Sequence, residues 1–312
     1  MRKYKVIFDV DTGVDDATCL IAALSDPKID AKLITVVDGN VPVENATNHT
    51  LYVLDLLQKN IPVVPGILLK KRTDKEAIAA QKRAQEMHGV QNLGGAIVPK
   101  QTKHQPTITD VADAMYNVIK DNPHEITIIA CAPQSNIAYL LDKYPDAKNL
   151  IKQIIFMGGS FGVPDNPNHI SYNAGANPIA FDKVIHSGIP CVMVQSLIGR
   201  TFARFTEAQV NQVAKFGSCG KFIAETFSVY WEKGYKEKFV ANNDVCAYLY
   251  LTSKNHFKTQ NVDIFVNQTD YPGKLSKMPN KKSKIKLITS LNNKWFVKTM
   301  FKKINAVTNF DY

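Results

Sequence analysis

"KVIFDVDTGVDDATCLIAALS", residues 5–25, sets the reading of the whole chain. Its first six residues are rich in β-branched side chains, and "DDATCLIAALS" follows with helical spacing. A strand that runs at once into a helix is the opening of a βα unit. Four aspartates, Asp9, Asp11, Asp15 and Asp16, fall within eight residues at that junction. Unpaired carboxylates this close repel one another and raise each other's pKa, so a positive group belongs among them. A phosphate loop would need backbone donors and usually a lysine, whereas "DVDTGVDD" offers acceptors and no lysine. An EF-hand would need a twelve-residue loop closed by Glu, which is absent. A strand-end cluster for one hard cation fits the residues better. Gly13 permits a tight turn, and Asp15 and Asp16 open the helix, where negative charge is favoured. Helix capping alone accounts for Asp15 or Asp16, not for all four.

The same alternation continues outward. "AKLITVV" (31–37), "IPVVPG" (61–66), "EITIIACA" (125–132), "IKQIIFMGG" (151–159) and "PCVMVQ" (190–195) read as strands. "VENATNHTLYVLDLLQ" (43–58), "ITDVADAMYNVIKD" (108–121), "QSNIAYLLDKY" (134–144) and "NPIAFDKVIHS" (177–187) read as helices between them. Strands and helices in turn predict βα units around a mainly parallel sheet. From about residue 206 the pattern is mostly helical, with two late strands in "VDIFV" (262–266) and "IKLIT" (285–289) and a last helix in "NKWFVKTMFKKI" (293–304). There is no repeat and no linker, so a single domain over residues 1–312 with a helical annex is expected. Residues 66–106 are the longest irregular stretch, although "KEAIAAQKRAQEM" (75–87) within it has helical character, and long loops in compact domains often cover sites. In open α/β sheets the site lies beyond the carboxyl ends of the strands. The notable polar residues fall there: Asp9 to Asp16, Asp38 to Asn40, Cys131 to Asn136, and Gly158 to Asn173.

Composition narrows the function. An apolar share of 45% with 21% charged residues is that of a globular protein. No apolar run approaches the roughly 20 residues that span a bilayer, and Asp9 and Asp11 interrupt any secretory signal. The five cysteines are scattered without a CxxC pair, which fits reduced thiols in the cytoplasm rather than disulfides or zinc. The net charge of +10 sits largely in "NKKSKIKL" and "NKWFVKTMFKK". It reads as a solvated basic surface, since no nucleic-acid-binding signature accompanies it.

"DVDTGVDD" resembles the DxDxGxDD signature of the inosine–uridine-preferring nucleoside hydrolases, with Thr12 where that family usually has proline. "VVDGN" (36–40), "HGVQNLGG" (88–95), "PQSNIA" (133–138), "MGGSFG" (157–162), "SYNAGANP" (171–178) and "NND" (242–244) follow in the family's order. The resemblance implies an α/β fold with an open Rossmann-like sheet, mainly parallel, with helices on both faces. It also implies homodimers or homotetramers, and a Ca²⁺ ion at the bottom of a pocket where water cleaves the N-glycosidic bond of a ribonucleoside. On this resemblance Asp11, Asp16, the Cys131 backbone carbonyl and Asp244 hold the metal, and Asp11 is also the general base for a metal-bound water. Asp15, Asn40 and Asn173 hold the ribose hydroxyls, His88 belongs to a pocket loop, and Asp9 steadies the carboxylate loop. The chemistry agrees: a hard cation takes oxygen ligands and lowers the pKa of a bound water, and a nearby carboxylate can accept its proton.

Four departures from the family pattern bear on the pocket. Ser171 stands where a glutamate usually holds the sugar's 5′-hydroxyl. Asn243 stands where a histidine often protonates the leaving base; an amide can donate a hydrogen bond but is no conventional acid. Asn92 and Asn177 replace a common glycine and aspartate. Phe227 and Trp231, spaced i, i+4 on one helix face, match positions of pocket aromatics and are expected to stack on the base; the same spacing also serves simple core packing. Arg200 and Arg204 are expected to make surface ion pairs, or to meet an anionic 5′ group. The expected activity is Ca²⁺-dependent N-ribohydrolysis of a nucleoside. The alternatives are a ribose-binding relative without turnover and a hydrolase of 5′-substituted ribosides.

Overall fold

The computed structural model of the protein describes residues 3–68, 89, 91–163, 166–232 and 239–307, and only the backbone of residues 230–232. A strand that is apolar on both faces belongs inside a sheet covered on both sides. β1 (Tyr4–Val10) takes that place, with Val6, Ile7, Phe8 and Val10 all buried. Among the described residues the main sheet has nine strands. Their order is β3 (Val63–Pro65), β2 (Ile29–Val36), β1, β4 (Thr127–Ala130), β5 (Gln153–Met157), β6 (Cys191–Val194), β11 (Ile285–Leu291), β9 (Phe257–Val266) and β10 (Leu275–Pro279). The run from β3 to β11 is parallel, and β9 and β10 close the far edge antiparallel.

The strands feed two apolar layers in alternation, as the two-residue period of a strand requires. Phe8, Ile34, Ile129, Ile155 and Val192 face one layer. Ile7, Leu33, Ile128, Ile154 and Met193 face the other. Helices Val111–Lys120, Ser135–Lys143 and Pro178–Ile185 cover the second layer. Helices Val14–Leu24, Val43–Leu57, Gly217–Glu232, Asn243–Ser253 and Asn293–Val307 cover the first. The helical annex is thus part of one wall: Asn243–Ser253 packs directly on Val14–Leu24.

The expected α/β architecture holds, with two additions. The C-terminal part is not purely helical: β7 (Arg204–Thr206) and β8 (Phe239–Ala241) pair antiparallel in a small second sheet. β10 pairs with β9 at the edge, where its residues are largely exposed, so it lacks the apolar run that marked the buried strands. The helical stretch expected at 75–87 lies outside the described residues. Among the described residues no helix is long and apolar enough to cross a membrane.

The strand order also leaves a crevice at the carboxyl ends of the strands. From β1 the chain goes outward to β2 and β3, then returns to the other side of β1 as β4. The loops after β1 and β4 therefore diverge and leave a crevice at their carboxyl ends, the switch point at which open α/β sheets bind ligands.

Candidate active site

The loop between β1 and helix Val14–Leu24 is only Asp11-Thr12-Gly13, so its carboxylates are held rigidly at that crevice. Asp11 is buried, and its Oδ2 accepts the backbone N–H of Asn40 at 2.6 Å from the loop after β2. Gly39 allows this approach: a Cβ there would lie 1.9 Å from the same oxygen. Asp16, in the first helical turn, accepts the Gly13 N–H on Oδ2 at 3.1 Å. Its Oδ1 is buried and accepts no hydrogen bond from an N–H or hydroxyl group. His49 adds support from below, with its Nδ1 2.8 Å from the Thr12 carbonyl.

Asp9 is wholly buried behind the loop. Its Oδ1 accepts from Thr35 Oγ1 at 2.6 Å and from Asn136 Nδ2 at 2.8 Å. Asn136 Oδ1 in turn accepts the Ile67 N–H at 2.8 Å, so one side chain ties β1 to the segment after β3. Cys131 directly follows β4, its N–H donating to the Asp9 carbonyl at 2.8 Å.

Asp244 arrives from the far end of the chain, in the first turn of helix Asn243–Ser253. A thiol contact fixes that helix to its neighbour: Cys19 Sγ donates to the Asp244 carbonyl at 3.4 Å. Asp16, Cys131 and Asp244 each place a donor atom within 4.8 Å of the other two. Cys131 brings its sulfur into this group. Its carbonyl, the expected metal ligand, accepts Asn173 Nδ2 at 2.7 Å and keeps a second lone pair. Asp11 belongs beside Asp16; burial, and then that neighbour's charge, push its carboxyl up.

These carboxyls are strained electrostatically. Burial, and then the charge of Asp16, hold Asp11 and Asp244 well above the usual carboxylate range. Burial pushes Asp9 and Asp15 up to about 7 and Asp16 to about 6. Two like charges 4 Å apart repel by about 4 kcal/mol at an effective dielectric of ~20. Several buried acids, among them Asp16 with an oxygen that has no hydrogen-bond donor among the described residues, form a cradle whose hard oxygen atoms fit a divalent cation.

Above the cluster opens a cavity of about 310 Å³. Asp11, Asp15, Asp16, Asn40, Cys131, Ser171, Asn173, Asn243 and Asp244, all singled out in the sequence, line it together. Asp15 accepts the backbone N–H of Asn243, which joins the first and last pieces of the site. Asn243 Oδ1 accepts the Gly199 N–H at 2.7 Å, and a Cβ at residue 199 would lie 2.6 Å from Asn243 Nδ2. Tyr172 hydroxyl donates to the Gly39 carbonyl at 2.6 Å, linking the wall that carries Ser171 and Asn173 to the loop that carries Asn40. Asn92 lines the cavity with φ of 58°, the left-handed backbone that explains a glycine being common there and that Asn tolerates.

The aromatic expectation needs correction. Phe227 is 0% exposed in the apolar layer and does not line the cavity, so its place in the structure is packing. Its helix leans on the Asn92–Gly95 turn, where a Cβ at Gly94 would lie 1.7 Å from the Thr226 carbonyl. The Trp231 side chain and His88 lie outside the described residues. Arg200, expected chiefly as a surface ion-pair residue, lines the cavity with Tyr172 and His169, which the sequence did not single out. Arg204 does not line it; Nη1 donates to the Arg200 carbonyl at 2.9 Å and the guanidinium lies 4.3 Å from the centre of the Phe239 ring.

Comparison with known proteins matches this arrangement to one family. The family model of the inosine–uridine preferring nucleoside hydrolases matches residues 6–298. The chain is 29% identical over 255 residues to the non-specific ribonucleoside hydrolase RihC of Escherichia fergusonii, covering 81% of this chain and 80% of that protein. It is 30% identical over 263 residues to the pyrimidine-specific ribonucleoside hydrolase RihA of Citrobacter koseri, covering 81% of each. Among solved structures, a purine-preferring ribonucleoside hydrolase from Gardnerella vaginalis superposes with a TM-score of 0.86 at 21% identity, over 98% of this chain and 100% of that one. A plant nucleoside hydrolase superposes with a TM-score of 0.84 at 22% identity, over 97% and 99%. At those identities the structural likeness speaks for the fold.

Proposed function

Because the chain belongs to the inosine–uridine preferring nucleoside hydrolase family, we propose that the cavity at the β1–β4 crevice binds a ribonucleoside and that water cleaves its N-glycosidic bond with calcium present. The observation that carries this reading is the convergence of buried carboxylates from both ends of the chain, Asp11, Asp16 and Asp244, on the floor of one cavity. The carboxylates of Asp11, Asp16 and Asp244 and the Cys131 carbonyl would hold the ion, a donor set of hard oxygens that suits Ca²⁺. Bound there, calcium would neutralise the carboxylates, draw in the sugar's vicinal hydroxyls and lower the pKa of a water.

The chain's own residues do the rest. Asp11 is oriented by the Asn40 N–H and accepts the proton of the attacking water. Asp15, Asn40 and Asn173 offer acceptors and donors to the ribose hydroxyls. The carboxylate floor stabilises the positive charge that develops on the sugar as the bond breaks. Asn243 donates a hydrogen bond to the departing base through Nδ2, its Oδ1 being engaged by Gly199. It transfers no proton, so bases that leave easily are favoured. The small Ser171 and the cationic Arg200 line the same cavity. That favours tolerance of a larger or anionic 5′ substituent as a second reading.

A homodimer or homotetramer in the cytoplasm, with residues 1–312 acting as one domain, completes the proposal. Ribose release across purine, pyrimidine, modified and 5′-phosphorylated nucleosides, with calcium supplied, tests it. Turnover of at least one class is expected; binding of ribose without any release would contradict it.

A further inference from the structure

A calcium site has no use for sulfur, yet a thiol is the third member of the donor cluster. We propose that the cavity floor is also a mixed oxygen–sulfur site, which takes a thiophilic divalent cation of the zinc or cadmium class on the Cys131 sulfur and the carboxylates of Asp16 and Asp244. Their donor atoms lie within 4.8 Å of one another. Zinc holds thiolate at about 2.3 Å and carboxylate at about 2.0–2.2 Å, so donors within 4.8 Å of one another share one ion after a small closing movement of the side chains. All three side chains are more than nine-tenths buried, at 4%, 2% and 3% exposure for Asp16, Cys131 and Asp244. Asp16 Oδ1 receives no N–H or hydroxyl donor, and an unpaired buried oxygen of this kind calls for a positive ligand. Cys19 stands next to the cluster, its Sγ donating to the Asp244 carbonyl at 3.4 Å. A second sulfur therefore borders the site.

The hard and the soft ion use different atoms of the same residue. The hard ion takes the Cys131 carbonyl, whereas the soft ion takes its sulfur. Both need Asp16 and Asp244, so they compete. Binding of the soft ion forms one metal–sulfur bond and releases the thiol proton to solvent, and no electrons change hands. The inference shares two carboxylates with the proposed calcium site but does not require that calcium be the working cofactor.

Chelator-treated full-length protein titrated with Cd²⁺ provides the test. The expected result is an ultraviolet thiolate-to-cadmium charge-transfer band that saturates at one equivalent, together with displacement of radiolabelled calcium measured by dialysis. The band should be lost in Cys131→Ser. Asp244→Asn, which keeps every thiol, should saturate only at a large excess of metal, which covers the case in which the serine variant does not fold. Cadmium uptake without the band, no uptake at one equivalent, or a band unchanged in both variants would overturn the inference. Calcium uptake is read separately, so its absence would refute the calcium reading and leave this one standing.

Discussion

Gly39→Ala tests how Asp11, the proposed general base, is held. Gly39 has no left-handed backbone, so alanine meets no conformational penalty there and the whole effect is steric. The added Cβ would lie 1.9 Å from Asp11 Oδ2 and 2.6 Å from Asp11 Cβ and Cγ. Restoring an ordinary contact of 3.4 Å requires the loop and Asp11 to part by about 1.5 Å. That separation breaks the 2.6 Å hydrogen bond from the Asn40 N–H, a charge-assisted bond of a type that contributes about 1.5–3 kcal/mol. It also moves Asn40, the residue proposed to hold a ribose hydroxyl. A misplacement near 1 Å costs about 100-fold in rate, equivalent to about 2.7 kcal/mol of transition-state stabilisation. The expected outcome is kcat/KM for ribose release lower by roughly 100-fold, with the folded state retained in a thermal melt. Wild-type kcat/KM in a variant that is folded would refute the role assigned to the Asn40–Asp11 contact.

Other outcomes follow from neighbouring residues. Asn243→His should raise turnover of inosine-like substrates, whose bases leave poorly without an acid; kcat measured across bases of differing leaving ability reads this, and an unchanged dependence would contradict it. In Ser171→Glu, kcat/KM for a nucleoside 5′-monophosphate should fall more than that for the nucleoside, because two like charges 4 Å apart repel by about 1 kcal/mol even in water and by more in a pocket. Equal changes for the two substrates would remove the 5′-substituent reading. His49 is held below its usual 6.5 by burial, with the Thr12 contact opposing. The unfolded chain therefore binds a proton that the folded one refuses, and stability present above 6.5 is lost as pH falls from 6.5 through the lower folded value. The slope from this one group cannot exceed about 1.4 kcal/mol per pH unit. Denaturant melts at pH 7 and pH 5.5 should show a smaller difference in His49→Gln than in the wild type.

Much of this architecture is written in local patterns, and the reasons for the rest are physical. β1 and the helix after it are legible because an apolar run, a turn glycine and two acidic first-turn residues agree over twenty positions. The carboxylate cluster is legible at Asp9 to Asp16 for the same reason. Asp244 is different: its place beside Asp16 depends on the packing of Asn243–Ser253 against Val14–Leu24, more than 200 residues away, and only the ordered set of motifs pointed to it. Phe227 shows the limit of periodicity. Spacing i, i+4 places two rings on one helix face but cannot say whether that face meets a cavity or a core. Cys131 shows another limit, because a sequence position does not tell that its sulfur lies beside the carboxylates of Asp16 and Asp244. Arg200 looked like a surface residue because its surroundings come from the short strands β7 and β8, each of three residues and too brief to leave a pattern.

The central claim is that Asp11, working beside a cation on the carboxylate floor, draws the proton from the attacking water. It is tested most directly by ribose release from a nucleoside that the wild type turns over. The protein is first freed of metal with a chelator and then restored with calcium, in the wild type and in Asp11→Asn. Release by the wild type should vanish without calcium and return with it, while Asp11→Asn should stay inactive under both conditions with its fold intact. Full release in the metal-free wild type, or calcium-restored release in Asp11→Asn at the wild-type rate, would contradict the account.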